Sequence, residues 1–171
     1  MRYQMTRKLF ALGDQGVITD EHGNSVYRNA GKFFSLHDRV RLLDMQGEEV
    51  ATFHSKLLSF PKRMFIEIGG EPAATVTRKA LAVRVKFDIE LASGERWELH
   101  GDWVDRSFTL TDGAGATVAQ VTKAWVSVAG RYGIDIAEGR DELLVLMILV
   151  ALESTVAEDE ENLDVGAGST W

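Results

Sequence analysis

Residues 143–152, within "DELLVLMILVAL", carry no polar side chain at all. No other feature of the chain limits its fold so strongly. Leu, Met, Ala and Glu are good helix formers, and Asp141 follows the "AEGR" turn where an N-cap carboxylate belongs, so a helix is expected over 141–157. Ten residues of helix span roughly 15 Å, against a hydrocarbon core near 30 Å. Acidic residues close both ends of the run (Glu138, Asp141 and Glu142 before it, Glu153, Glu158 and Asp159 after it) and no basic flank accompanies them. The segment is therefore not read as a membrane span. Nor is it one-sided: a helix apolar on every face has to be buried on every face.

The rest of the chain supplies walls for it. "ITDEHGNSVY" from Ile18, "LLDMQGEEVA" from Leu42 and "LTDGAGATVA" from Leu110 share the pattern apolar-x-Asp-x-x-Gly-x-x-Val. Asp at the first turn position and Gly at the fourth suit a type I turn closed by a residue of positive φ, a common hairpin connection. Weaker copies surround Gly70 and Gly94. The turn glycines Gly23, Gly47, Gly70, Gly94 and Gly115 are then spaced by 24, 23, 24 and 21 residues, the interval of successive hairpins. "VRVKFDIEL" (83–91) alternates strictly, with Val83, Val85, Phe87, Ile89 and Leu91 on one face and Arg84, Lys86, Asp88 and Glu90 on the other. That period of two is the mark of a half-buried antiparallel strand. Five hairpins, with "RYGIDI" (131–136) and the N-terminal "MTRKLFAL", give about twelve strands.

The expected fold is all-β with one central helix: an antiparallel barrel of about twelve strands enclosing the C-terminal hydrophobic helix. Such a barrel is wider than its own side chains fill, and the helix occupies the space. No lumen is left for a small ligand, so any site is expected on the outer wall, at the rims or in the loops. The tail, "EDEENLDVGAGSTW", carries five acids and no base. The chain is divided into a domain over 1–157 and an acidic, disordered tail over 158–171. Without the tail, 19 basic residues face 21 acidic ones, so the formal charge of −7 is largely the tail's. There is no cysteine, hence no disulfide, thiolate nucleophile or cysteine metal site. No signal sequence is read at the N-terminus, and the expected location is the cytoplasm, with peripheral membrane attachment as the alternative.

"GDW" (101–103), "VAQVTKAW" (118–125), "YGIDI" (132–136) and the terminal "DELLVLMILVAL", in that order among Asp-x-x-Gly hairpins, resemble the LURP-one-related family. That family is grouped with the tubby C-terminal-like domains and the phospholipid scramblases, and the likeness covers about residues 1–155. It implies a twelve-stranded barrel around a central C-terminal helix. The tubby domains bind phosphoinositide headgroups through basic residues, but no such residue is carried over to a position here. Scramblase relatives have a proline-rich arm and cysteines for acylation, neither of which this chain contains.

No catalytic constellation is found, and no metal site or cofactor is expected. His22, His37, His54 and His100 lack metal-ligand spacing. The turn aspartates Asp20, Asp44 and Asp112 each offer one acid, where calcium needs several converging oxygens. "DGAGAT" (112–117) precedes a strand and lacks the third glycine of a dinucleotide loop. Ser35, His37 and Asp38 are neighbours in sequence, which does not make a triad. One charged segment stands out: residues 54–87 hold seven bases against Glu67 and Glu71. Lys56, Lys62, Arg63, Arg78 and Lys79 are the candidate anion or lipid-headgroup site. A solvated face balanced by Asp88 and Glu90 is the plainer reading and is preferred. The function expected is a non-enzymatic intracellular binding or scaffold domain, with anionic phospholipid binding or scramblase-like lipid handling as the alternative. The partner is then a protein or an anionic headgroup; no nucleic acid is expected.

Overall fold

Alternating apolar positions set the wall. The computed structural model describes residues 1–6, 16–30, 39–56, 61–79, 85–102, 107–122 and 131–167. Twelve strands run β1 (Arg2–Thr6), β2 (Val17–Asp20), β3 (Ser25–Ala30), β4 (Arg39–Asp44), β5 (Glu49–Ser55), β6 (Arg63–Ile68), β7 (Glu71–Lys79), β8 (Val85–Leu91), β9 (Arg96–Asp102), β10 (Ser107–Thr111), β11 (Thr117–Thr122) and β12 (Arg131–Ile136). Each pairs antiparallel with the next, and β1 pairs with β12 from Arg2↔Asp135 to Thr6↔Arg131, so the sheet closes into a barrel. The β8 alternation holds in the structure: Val85, Phe87, Ile89 and Leu91 are buried, while Val83 and Arg84 lie outside the described residues.

The helix α1 (Glu142–Ala167) fills the barrel. Residues 145–152 are between 0 and 3 % exposed on every face, as an all-round apolar helix requires. Asp141 caps it, its Oδ1 accepting from the Leu144 amide at 3.0 Å.

Two boundaries differ from the expectation. Of the expected N-terminal strand "MTRKLFAL" (5–12), Met5 and Thr6 belong to β1, which starts earlier, at Arg2, through its pairing with β12. Residues 7–15 lie outside the described residues. The helix also continues to Ala167 instead of ending near 157. Glutamates propagate a helix well once it is nucleated, and the buried stretch supplies the nucleus.

An up-and-down meander sorts its connections into two ends. Five hairpins and the turn from β12 into α1 lie at one, the turn end. The strands at the other end border residues 7–15, 31–38, 57–60, 80–84, 103–106 and 123–130, which lie outside the described residues. The helix enters at the turn end and points to the second, the mouth.

Candidate functional site

At the turn end, local chemistry explains the geometry completely. Asp20 Oδ1 accepts from the amides of His22 and Asn24 at 2.9 and 2.8 Å. Asp44 does the same with Gln46 and Glu48, and Asp112 with Ala114 and Ala116. Gly23, Gly47 and Gly115 follow at φ of 83, 91 and 81°, as the shared motif demands, and Gly70 and Gly94 are also positive. A β-bulge sits beside each of the three aspartate turns. Asn24 and the two amides hold the Asp20 carboxyl below its ordinary value. The Asp112 carboxyl is lowered chiefly by Arg140, whose Nη2 donates to it at 2.6 Å, and then by its turn amides.

That ion pair ties the β12–α1 turn to the β10–β11 hairpin. A second tie starts inside the wall, where the Tyr3 hydroxyl donates to Glu142 on the first turn of the helix. Burial, then Glu142, raises the Tyr3 phenol well above its ordinary range. Tyr27 is raised by burial and by the charges of Glu142 and Asp141. These residues anchor the helix entrance.

The outer wall carries a cleft of about 320 Å³ at the β1–β12 seam. Arg2, Gln4, Gly133 and Asp135 line it, and Glu21 and His22 of the β2–β3 turn border it. The Arg2–Asp135 ion pair, 2.7 Å long, crosses it.

The mouth gathers the cations. Lys56, Lys62, Arg63, Arg78 and Lys79 all stand at the mouth ends of the consecutive strands β5, β6 and β7 or just beyond them. Two further rungs extend those ladders: the Lys56 amide donates to the Arg63 carbonyl at 3.1 Å and the Arg78 amide to the Lys62 carbonyl at 3.0 Å. Register then divides the five. Lys62 and Arg78 share the lumen-facing parity of buried Met64, Ile66, Ala74 and Val76, whereas Lys56, Arg63 and Lys79 fall on the outer parity. Arg63 is exposed. Lys79 pairs with Asp88 at 2.6 Å, which raises its pKa; Asp88 is the balancing acid expected from the sequence. Lys56, Lys62 and Arg78 are each engaged by other groups within the molecule.

The helix leaves through this mouth. Thr155 donates from Oγ1 to Met64 Sδ at 3.4 Å, one residue from Arg63. Glu153, Ser154 and Thr155 are all buried there, an unusual run of polar side chains for a barrel interior. Glu153 reads in the sequence only as the residue that closes the apolar run, and nothing in its local pattern signals burial.

Among the described residues no group of three or more His, Asp or Glu is placed to hold a metal ion, and no helix is long and apolar enough to cross a membrane. His54 stacks on Phe65 with ring centroids 5.3 Å apart, and His100 lies near Glu98 on the outer wall.

A closed antiparallel barrel with a hydrophobic helix in place of a cavity defines a narrow class of domain. The LURP-one-related family matches residues 1–153, and the chain belongs to that family. It is 33% identical over 157 residues to the uncharacterized protein YxjI of Bacillus subtilis (strain 168), covering 92% of this chain and 94% of that one. It is 27% identical to Protein LURP-one-related 15 of Arabidopsis thaliana, over 91% and 80% of the two chains. The X-ray structure of an Arabidopsis thaliana protein superposes with a TM-score of 0.66 at 23% identity, covering 90% of this chain and 91% of that one. That likeness shows the shared fold.

Proposed function

We propose that this chain is a non-enzymatic binding domain that presents the cations of its mouth to an anionic surface, with phospholipid headgroups as the ligand chemistry. One observation carries the reading: five basic residues, spread over 24 positions of sequence, converge on three adjacent strand ends. The helix fills the lumen, which leaves binding to the outer wall and the rim, and the cations stand at the rim. Basic residues close to an anionic membrane surface contribute about 1 kcal/mol each. Their number at one rim is what makes the sum useful.

The outer pair, Lys56 and Arg63, reaches an external ligand most directly. Lys56→Glu with Arg63→Glu is expected to reduce partitioning onto vesicles of phosphatidylserine and phosphoinositide by more than about tenfold. Wild-type binding should itself fade between low and moderate salt, as screening over about 10 Å at 0.1 M requires. If the wild type fails to bind such vesicles at low salt, the lipid reading is wrong, and an acidic protein partner takes its place.

A further inference from the structure

We propose that the cationic mouth has an intramolecular occupant: the acidic end of α1, which docks on the rim as it leaves the barrel and competes there with outside anions. This deepens the reading above, since it names what regulates that same rim.

Length carries the helix to the rim and beyond it. From Glu142 to Thr155 the helix rises about 20 Å. Strands β5 and β6, of seven and six residues, span at most about 23 Å, and less along the axis once tilted. Thr155 lies against Met64 at the mouth, so the last dozen helical residues, which run to Ala167, project past the rim. Their sequence opens with Glu158, Asp159, Glu160 and Glu161, and Asp164 follows. The helix lies nearest to β5, β6 and β7, the strands whose ends carry the cations.

Register supplies the complementary charge. Lys62, one residue before β6, and Arg78, near the end of β7, hold the lumen-facing parity at the mouth, where a helix emerging from the lumen passes. A carboxylate is already accommodated at this level: Glu153 is 8 % exposed and engaged within the molecule. A buried carboxylate needs a polar or charged partner. Among the described residues, Lys62 and Arg78 are the cations that register places on the lumen-facing side of this mouth. The four consecutive acids follow Glu153 along the helix one to two turns later.

The test compares the full chain with a variant carrying Glu158→Gln, Asp159→Asn, Glu160→Gln and Glu161→Gln. A control variant neutralises Glu21, Glu48, Glu95 and Glu138 at the turn end, which changes net charge by the same amount. Amide hydrogen exchange is read by peptide over 156–167 and over 145–152. In the wild type, protection of 156–167 should fall about tenfold between about 0.01 M and about 1 M salt, where the screening length shrinks from about 30 to about 3 Å. The helix-end variant should show that loss at low salt already, while 145–152 stays protected and the turn-end control behaves as wild type. Lys62→Glu with Arg78→Glu should reproduce the loss, and converting the four helix acids to Lys in that background should restore protection. If 156–167 exchanges at one rate in all forms and at both salt levels, the latch does not exist, whatever the vesicle result.

Vesicle binding separates the two readings. The helix-end variant should bind phosphatidylserine and phosphoinositide vesicles about tenfold more tightly than both the wild type and the turn-end control. Equal gains in both variants would reduce the effect to net charge and overturn the competition. If no form binds, the lipid reading falls alone and the exchange data decide the latch.

Discussion

The two ends of this barrel solve opposite problems with opposite charges. At the turn end, carboxylates face inward on their own chain: Asp20, Asp44 and Asp112 are each consumed by two backbone amides. Arg140, Tyr3 and Asp141 then fasten the helix entrance. At the mouth, cations stand on the ends of β5, β6 and β7, the strands nearest the helix. Hydrogen bonds to backbone make a charge structural, since they satisfy groups that would otherwise cost energy when buried. At the mouth Lys79 is paired with Asp88, and Lys56, Lys62 and Arg78 are engaged as well. One end thus holds its carboxylates against its own backbone, and the other gathers cations on the ends of β5, β6 and β7.

Four perturbations test that division, the most damaging first. The helix joins both ends, so Leu146→Asp should destroy the fold outright: an unpaired carboxylate at a site 0 % exposed costs more than the usual margin of about 5–15 kcal/mol leaves room for. Soluble mutant protein with a cooperative melt would remove the helix from its place as the core. Next is Gly101→Ala on β9, near the mouth. A Cβ there would stand 2.5 Å from the Ser107 carbonyl and 2.1 Å from the Phe108 ring. The backbone oxygen cannot step aside cheaply, and a loss of about 1–3 kcal/mol is expected in urea unfolding.

At the turn end Gly47→Val should cost about 1–2 kcal/mol, through its φ of 91° rather than through crowding. The nearest atom to a Cβ there is Arg28 Nη2 at 3.5 Å, ordinary contact. Gly47→Ala should therefore lose nearly as much as the valine. A large gap between the two would move the cause from backbone to packing.

The smallest effects are pH-dependent and belong mainly to the turn end. Asp20 and Asp112 titrate below their ordinary value of 3.8, so their contribution is present above that value and disappears as pH falls through the folded values. Tyr3 and Tyr27 titrate above their ordinary 10.0; their contribution is complete below that value and declines as pH rises past it. Arg140→Met should flatten the acid limb of a Tm-against-pH curve, and Tyr3→Phe the alkaline limb. An acid limb unchanged by Arg140→Met would show that the turn amides alone hold Asp112.

How much of this was legible in the sequence follows from the range of each interaction. The aspartate turns and their glycines are contained within five residues, so Asp20, Gly23 and their counterparts announce themselves. The buried helix is legible because no face of residues 143–152 is polar. The five mouth cations were visible as a cluster in sequence, but only the up-and-down topology shows that they share one rim, and only register divides Lys62 and Arg78 from Lys56, Arg63 and Lys79. The Tyr3–Glu142 bond joins residues 139 apart and leaves no local pattern. The cleft at the β1–β12 seam is hidden for the same reason. The start of β1 at Arg2 carries no local signal, because pairing with β12 sets it.

The order of elements along the chain has a kinetic consequence. A core made by the final element cannot help any earlier one to fold. At synthesis rates of about 5–20 residues per second, the twelve strands emerge over on the order of ten seconds before the helix that fills them. Closure then requires Arg2 to find Asp135, 133 residues away, a separation that slows folding. Until then the nascent sheet has two open edges and an uncovered apolar face, the combination most prone to aggregation. Expression at lower temperature or with added chaperone should therefore raise the soluble yield of this barrel more than that of a protein whose core is made first.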